Sequence, residues 1–155
     1  MVIVTTATPP TGFIHLVVGY DGSPPASRAL DAAVSLLHGR TGRIHVVYVA
    51  HLTSTVMLSA DAIAAMEADF DEVERDLRTQ AGEQLDGRVE HWEFQRRQGL
   101  IPDELLAAAT AIREAHVGDT VVIVVGSSSH AAHRMVGSVT VSLARHSPVP
   151  LVIVP

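Results

Sequence analysis

The sequence contains no cysteine, no lysine and no asparagine. Without cysteine, the chain cannot form disulfides, perform thiol catalysis or bind a metal through thiolates. Without lysine, it lacks both the phosphate-binding side chain of a Walker A loop and the amine that a Schiff base requires. The eleven basic residues are therefore all arginine, and the net charge of −6 argues against a nucleic-acid partner.

Long hydrophobic runs are also missing, because no segment approaches the roughly 20 apolar residues of a membrane-spanning helix. Residues 1–12 lack the charged start and the apolar centre of a signal peptide, so we predict a flexible N-terminal tail and a cytoplasmic location. The 155 residues are 47% hydrophobic and 18% charged, which suits a folded chain with a sizeable core. We therefore expect one domain over residues 13–155.

Short apolar runs alternate with segments of helical periodicity along the whole chain. Strands without polar alternation must be covered on both faces, which indicates a parallel sheet with helices on each side. Right-handed crossovers then predict an α/β domain, doubly wound, with five parallel strands in the order 3-2-1-4-5. The predicted strands cover residues 14–20, 44–49, 89–95, 121–125 and 151–154, and the predicted helices cover 23–37, 63–77, 99–112 and 138–146.

The second predicted helix carries an acidic face opposite its apolar stripe. Charge runs of this kind usually face solvent, and we predict a solvated surface here, with a partner surface as the alternative. The acidic residues are Asp61, Glu67, Asp69, Asp71, Glu72, Glu74 and Asp76.

Two loops follow the carboxyl ends of predicted strands, where open parallel sheets bind their ligands. One is the turn 21–23, Asp-Gly-Ser. The other runs from Gly126 to Thr140, where small residues allow close backbone approach and Gly137-Ser138 begins a helix whose free N–H groups favour phosphate. Arg134 would supply positive charge. This pattern predicts an anion-binding cradle, although a glycine- and serine-rich connection can also be only a connection.

The stretch 122–155 resembles the carboxyl-terminal part of the universal stress proteins. ATP-binding members of that family carry a glycine, two residues, a second glycine, nine residues, and a glycine followed by serine or threonine. Gly126 matches the first glycine and Gly137-Ser138 match the last pair. Ser129 replaces the second glycine, and seven residues separate it from Gly137. The segment 17–26 is similar to the family's opening strand and turn.

The resemblance implies a regulatory module of the stress response that binds an adenine nucleotide. ATP is the family's ligand, and the shortened loop makes AMP or cyclic AMP further candidates, with Mg²⁺ or Mn²⁺ accompanying the phosphates. It also implies a homodimer built through the last strand, 151–154. The expected nucleotide-binding residues are Asp21, Gly22, Ser23, Val47, Val49, Gly126, Ser127, Ser129, Arg134, Gly137, Ser138, Val139 and Thr140.

Two other functions stay open at this point. A slow nucleotide hydrolase would need a base that positions water, and Asp21 is the only acidic candidate near the loops. An interaction module that binds no nucleotide would explain the altered glycine motif. His130 and His133 lack a third ligand nearby in sequence, so we predict no metal site there. His15 and His45 lie on apolar strands and are expected to be core or strand-end residues.

Overall fold

The computed structural model describes residues 12–51, 58–127 and 137–155. Five strands and four helices alternate along these segments, as the sequence predicts. The predicted tail, residues 1–12, lies outside the described residues except for Gly12. The elements are β1 (Phe13–Gly19), α1 (Pro24–Leu37), β2 (Thr41–Ala50), α2 (Ala60–Leu85), β3 (Trp92–Gln98), α3 (Ile101–Ala115), β4 (Thr120–Gly126), α4 (Ser138–His146) and β5 (Leu151–Val154).

All strand pairs of the sheet are parallel, and the strand order is β3-β2-β1-β4-β5. Alternate residues of each strand point to opposite faces, so each face has its own core layer. Leu16 and Ile44 pack with α1 and α2 on one face, while Val17 and Ile123 pack with α3 and α4 on the other. The predicted doubly wound fold, with helices on both faces, is confirmed.

The third strand is displaced from its predicted position, residues 89–95, to Trp92–Gln98. The amides of Arg88 and Val89 both donate to the carbonyl of Leu85, at 3.0 Å each, so a turn follows α2 and the strand begins later. At its other end, two charged residues continue the pairing with β2. Ion pairs compensate these charges: Arg97 lies 2.7 Å from Glu104.

The acidic face of α2 contacts the edge strand β3 through one arginine. Arg96 lies 2.7 Å from Asp71, 3.3 Å from Glu67 and 3.5 Å from Glu74. The side chains of Asp71 and Glu67 are 61% and 43% exposed, so these pairs are close to solvent and individually weak. Three acidic residues of the predicted solvated face therefore pair with a residue of the edge strand.

The described residues include no helix that is both long and apolar enough to cross a membrane. His15 and His45, expected as core or strand-end residues, are 3% and 4% exposed and therefore lie in the core.

Candidate functional site

A cavity of about 220 Å³ lies at the carboxyl ends of β1 and β4. These two strands are neighbours at the centre of the sheet, where the order of the strands changes direction. Their crossover connections leave on opposite faces, and this divergence opens a crevice in doubly wound sheets. The cavity is lined by Gly19, Tyr20, Asp21, Ser23, Pro25, Ala26, Val47, Val49, Ile101, Leu105, Val125, Gly126, Gly137, Ser138, Val139 and Thr140.

One wall of the cavity is apolar. Val47 and Val49 come from β2, Val125 comes from β4, and Ile101 and Leu105 come from the first turns of α3. Such a surface suits a flat, weakly polar group such as a nucleobase, because burying apolar area favours binding.

Gly126 brings the end of β4 directly against the start of α1. A Cβ atom built on Gly126 would overlap the carbonyl oxygen of Pro25 and lie 2.8 Å from the Pro25 Cβ. Only glycine therefore allows this close approach of strand and helix. The contact fixes where the amino-terminal end of α1 meets the cavity.

The amino-terminal end of α1 has few N–H groups to offer a ligand. Pro24 and Pro25 occupy its first two positions and have no N–H. The next amide, that of Ala26, donates to the Ser23 side chain at 3.4 Å. An anion in the cavity would therefore find little hydrogen bonding at α1.

The other two helices that begin at the cavity differ in charge. The first turn of α3 contains Glu104, which is paired with Arg97, and Asp103, whose carboxylate disfavours an anion at this helix start. The first turn of α4 has no acidic residue, and its N-cap, Gly137, makes no side-chain hydrogen bond. The first N–H groups of a helix lack intrahelical partners, and together with the helix dipole they favour negative charge. Among these three helices, α4 is thus the one suited to a phosphate.

Asp21 is the one charged side chain among the described residues of the lining. One of its carboxylate oxygens accepts a hydrogen bond from the Ser23 amide at 3.0 Å, which fixes the turn after β1. The side chain stays exposed, so its other oxygen can accept from a ligand hydroxyl. Burial raises the pKa of the neighbouring Tyr20 above its ordinary value.

Most of the residues expected at a nucleotide site do line this cavity. Two of the remaining residues lie elsewhere: Gly22 faces Leu77 of α2, and the amide of Ser127 donates to Val154 at 2.7 Å within the sheet. Ser129 and Arg134, like His130 and His133, lie outside the described residues. The expected residues in the lining are Asp21, Ser23, Val47, Val49, Gly126, Gly137, Ser138, Val139 and Thr140.

Sequence reasoning did not identify the contribution of α3 to the cavity. Ile101 and Leu105 belong to the apolar stripe of that helix, and such a stripe gives no sign of which residues face a cavity and which face the core. Pro25 and Ala26 lie two and three residues after the predicted site residue Ser23, and this closeness in sequence was the available signal.

Comparison with known proteins places these observations in a family context. The profile of the Universal stress protein family matches residues 12–155. The universal stress protein UspA from Lactobacillus plantarum is 18% identical and has a TM-score of 0.73, with 92% of this chain and 97% of that chain covered. No curated protein matches.

Two further structures of similar fold were solved with nucleotides. A universal stress protein in complex with cAMP is 23% identical with a TM-score of 0.64, covering 94% of this chain and 99% of that chain. A family protein from Arabidopsis thaliana with AMP bound is 14% identical with a TM-score of 0.59, covering 91% and 90%. At these identities, the likeness to solved structures shows the fold.

Proposed function

Since the chain belongs to the universal stress protein family, we propose that it is a regulatory module that binds an adenine nucleotide in the cavity between β1 and β4. The proposal rests on one observation. The cavity combines an apolar wall with the start of α4, which has no side-chain cap and no acidic residue in its first turn. The cAMP and AMP complexes of structurally similar proteins support the same ligand class.

The chemistry of the lining suggests how the nucleotide is oriented. The base packs against Val47, Val49 and Ile101, because this part of the lining is apolar. The phosphate lies at the N–H groups of Ser138 and Val139, where the α4 dipole favours it. The exposed oxygen of Asp21 then accepts from a ribose hydroxyl between the two.

The length of the loop that precedes α4 bears on how many phosphates the nucleotide carries. Seven residues between Ser129 and Gly137, instead of the family's nine, leave less backbone to surround a phosphate chain. We therefore expect AMP or cyclic AMP to bind at least as well as ATP. Mg²⁺ or Mn²⁺ would accompany a polyphosphate and contribute little to a monophosphate.

The proposal includes a homodimer formed through β5. This strand pairs with β4 alone in the sheet, and Ile153 is 40% exposed. An edge strand with an exposed apolar residue favours pairing with a second copy. Regulation would then act through the cavity and the dimer surface together.

The cytoplasmic location stays a prediction, which cell fractionation would test.

The position of the phosphate can be tested by adding one negative charge. Ser138 is exposed and begins α4, so Ser138→Glu leaves the helix intact while its carboxylate repels a phosphate. We expect the binding free energy of AMP, measured by isothermal titration calorimetry, to weaken by about 1–3 kcal/mol.

Ser142→Glu is the matched control, because it adds the same charge one turn later on α4, outside the cavity lining. We expect its affinity for AMP to stay within about threefold of the unsubstituted chain. Equal affinities of the two variants would contradict a phosphate at α4.

A further inference from the structure

A second polar cluster lies on the α3 and α4 side of the sheet, near the amino-terminal ends of the strands. The Nδ1 atom of His45 lies 2.7 Å from a carboxylate oxygen of Glu93. Its Nε2 atom lies 2.9 Å from Nδ1 of His15. Nε2 of His15 lies 3.1 Å from a carboxylate oxygen of Asp119. These four side chains, which we call the histidine chain, cross three strands and reach the turn before β4.

Strand register explains how the histidine chain forms. His45 pairs with Glu93 across β2 and β3, and with Val17 across β1 and β2. His15 lies two residues before Val17 and therefore shares its face of the sheet. The amphipathic pattern would place apolar side chains at both histidine positions, so the buried imidazoles need specific partners.

The histidine chain can adopt a tautomer in which Nε2 of His15 carries no hydrogen. In that tautomer, Nδ1 of His45 donates to the Glu93 carboxylate and Nδ1 of His15 donates to Nε2 of His45. The lone pair on Nε2 of His15 and a carboxylate oxygen of Asp119 then lie 3.1 Å apart, where both can bind one cation.

A third potential ligand stands beside this nitrogen and this oxygen. His116 caps the end of α3, and its ring centroid lies 4.5 Å from that of His15. The amide of Asp119 donates to the carbonyl of His116 at 3.1 Å, with Gly118 at a φ of 97° between them. This tight turn holds residues 116 and 119 together. The candidate ligand atoms of His15, His116 and Asp119 all lie within 4.8 Å of one another.

We propose that His15, His116 and Asp119 form a binding site for a divalent metal ion of the zinc type, with water as the fourth ligand. Two imidazole nitrogens and a carboxylate oxygen are a ligand set of tetrahedral zinc. Ligands about 2.0–2.1 Å from a tetrahedral zinc ion lie roughly 3.3 Å apart, close to the 3.1 Å between His15 and Asp119. His116 is exposed and can rotate to close the site.

The rest of the histidine chain supports the same site. Metal-binding histidines commonly donate their other N–H to a further polar group, which fixes the ring and raises its basicity. His45 and Glu93 provide this support for His15. Nitrogen ligands also favour zinc over Mg²⁺, which prefers oxygen. The site lies about 13 Å along β1 from Gly19 at the nucleotide cavity, so it is separate from any ion bound to phosphates.

Equilibrium dialysis of the full chain against Zn²⁺, with metal quantified by mass spectrometry, tests the proposal. We expect one tightly bound ion per chain, and binding weaker by on the order of 100-fold in His116→Ala. His38→Ala is the matched control, since His38 is also an exposed histidine at a helix C-cap, that of α1, and should bind Zn²⁺ normally.

Asp119→Asn provides a second test that keeps the shape of the side chain, and we expect it to weaken Zn²⁺ binding as well. Co²⁺ replaces Zn²⁺ as a probe of geometry, and a strong visible absorption band would report tetrahedral coordination. Unchanged binding in His116→Ala would overturn the proposal. Equal losses in the His116 and His38 variants would also overturn it, because they would indicate binding by dispersed surface histidines.

Discussion

Replacing Gly126 by alanine tests whether the contact between β4 and α1 is as close as the structure shows. The added Cβ would overlap the carbonyl oxygen of Pro25 and lie 2.8 Å from its Cβ. Pro25 belongs to the first turn of α1, whose proline rings restrict the backbone, so the helix itself must move. Both displaced atoms belong to a single residue that lines the cavity.

The expected cost follows from the type of atom that must move. Overpacking a well-packed interior costs about 1–3 kcal/mol, and a backbone contact places Gly126→Ala near the upper end of that range. This corresponds to a fall in the melting temperature of roughly 4–12 °C for a chain of this size. Gly19→Ala should cost about 1 kcal/mol or less, because its Cβ would meet the flexible end of Leu105 at 3.1 Å.

Gly42→Ala provides a matched control at the opposite end of the sheet. Its Cβ would overlap the carbonyl oxygen of Ile14 and lie 2.6 Å from a methyl group of Leu37, outside the cavity between β1 and β4. We expect urea unfolding to show a similar destabilisation for the two variants, with AMP affinity reduced only in Gly126→Ala. A Gly126→Ala chain within about 0.5 kcal/mol of the unsubstituted chain would refute the reasoning.

Three further changes test other parts of the account. Ser23→Ala removes the N-cap of α1 and should lower the free energy of unfolding by about 1 kcal/mol in urea titrations, whereas Ser35→Ala on the same helix should change it little. Ile153→Asp should convert the proposed dimer to a monomer, as measured by light scattering. Val117→Asp, at a residue that is 88% exposed, should leave the dimer intact. A monomeric unsubstituted chain would contradict the proposed dimer. Arg96→Gln should destabilise the chain only slightly in urea titrations, and a loss of stability that persists in 1 M salt would contradict simple ion pairing with α2.

The sheet could be predicted from sequence because its strands are apolar on both faces. All five residues of the run 121–125 are β-branched, and such residues favour a buried strand. The position of β3 could not be predicted in the same way. Arg96 and Arg97 pair within the sheet only because α2 and α3 bring carboxylates to them, and a local pattern does not show such long-range partners.

The part of the candidate site that lies at the carboxyl ends of the strands could be predicted from the topology of the sheet. The carboxyl ends of neighbouring parallel strands meet at one edge, so Asp21 and Gly126 were expected together and lie in one lining. The histidine chain was not predictable, because His15 and Asp119 are separated by 104 positions. Only strand register brings them together, and neither residue belongs to a metal-binding motif of fixed spacing.

Equilibrium dialysis of the full chain against AMP, cyclic AMP and ATP, each measured separately, tests the central claim most directly. The proposed function predicts saturable binding of at least one of the three, with one nucleotide per chain. Loss of that binding in Ser138→Glu, but not in Ser142→Glu, would place the phosphate at α4. If none of the three bound at concentrations up to about 1 mM, the nucleotide proposal would be wrong, and an interaction module without nucleotide would be the better account.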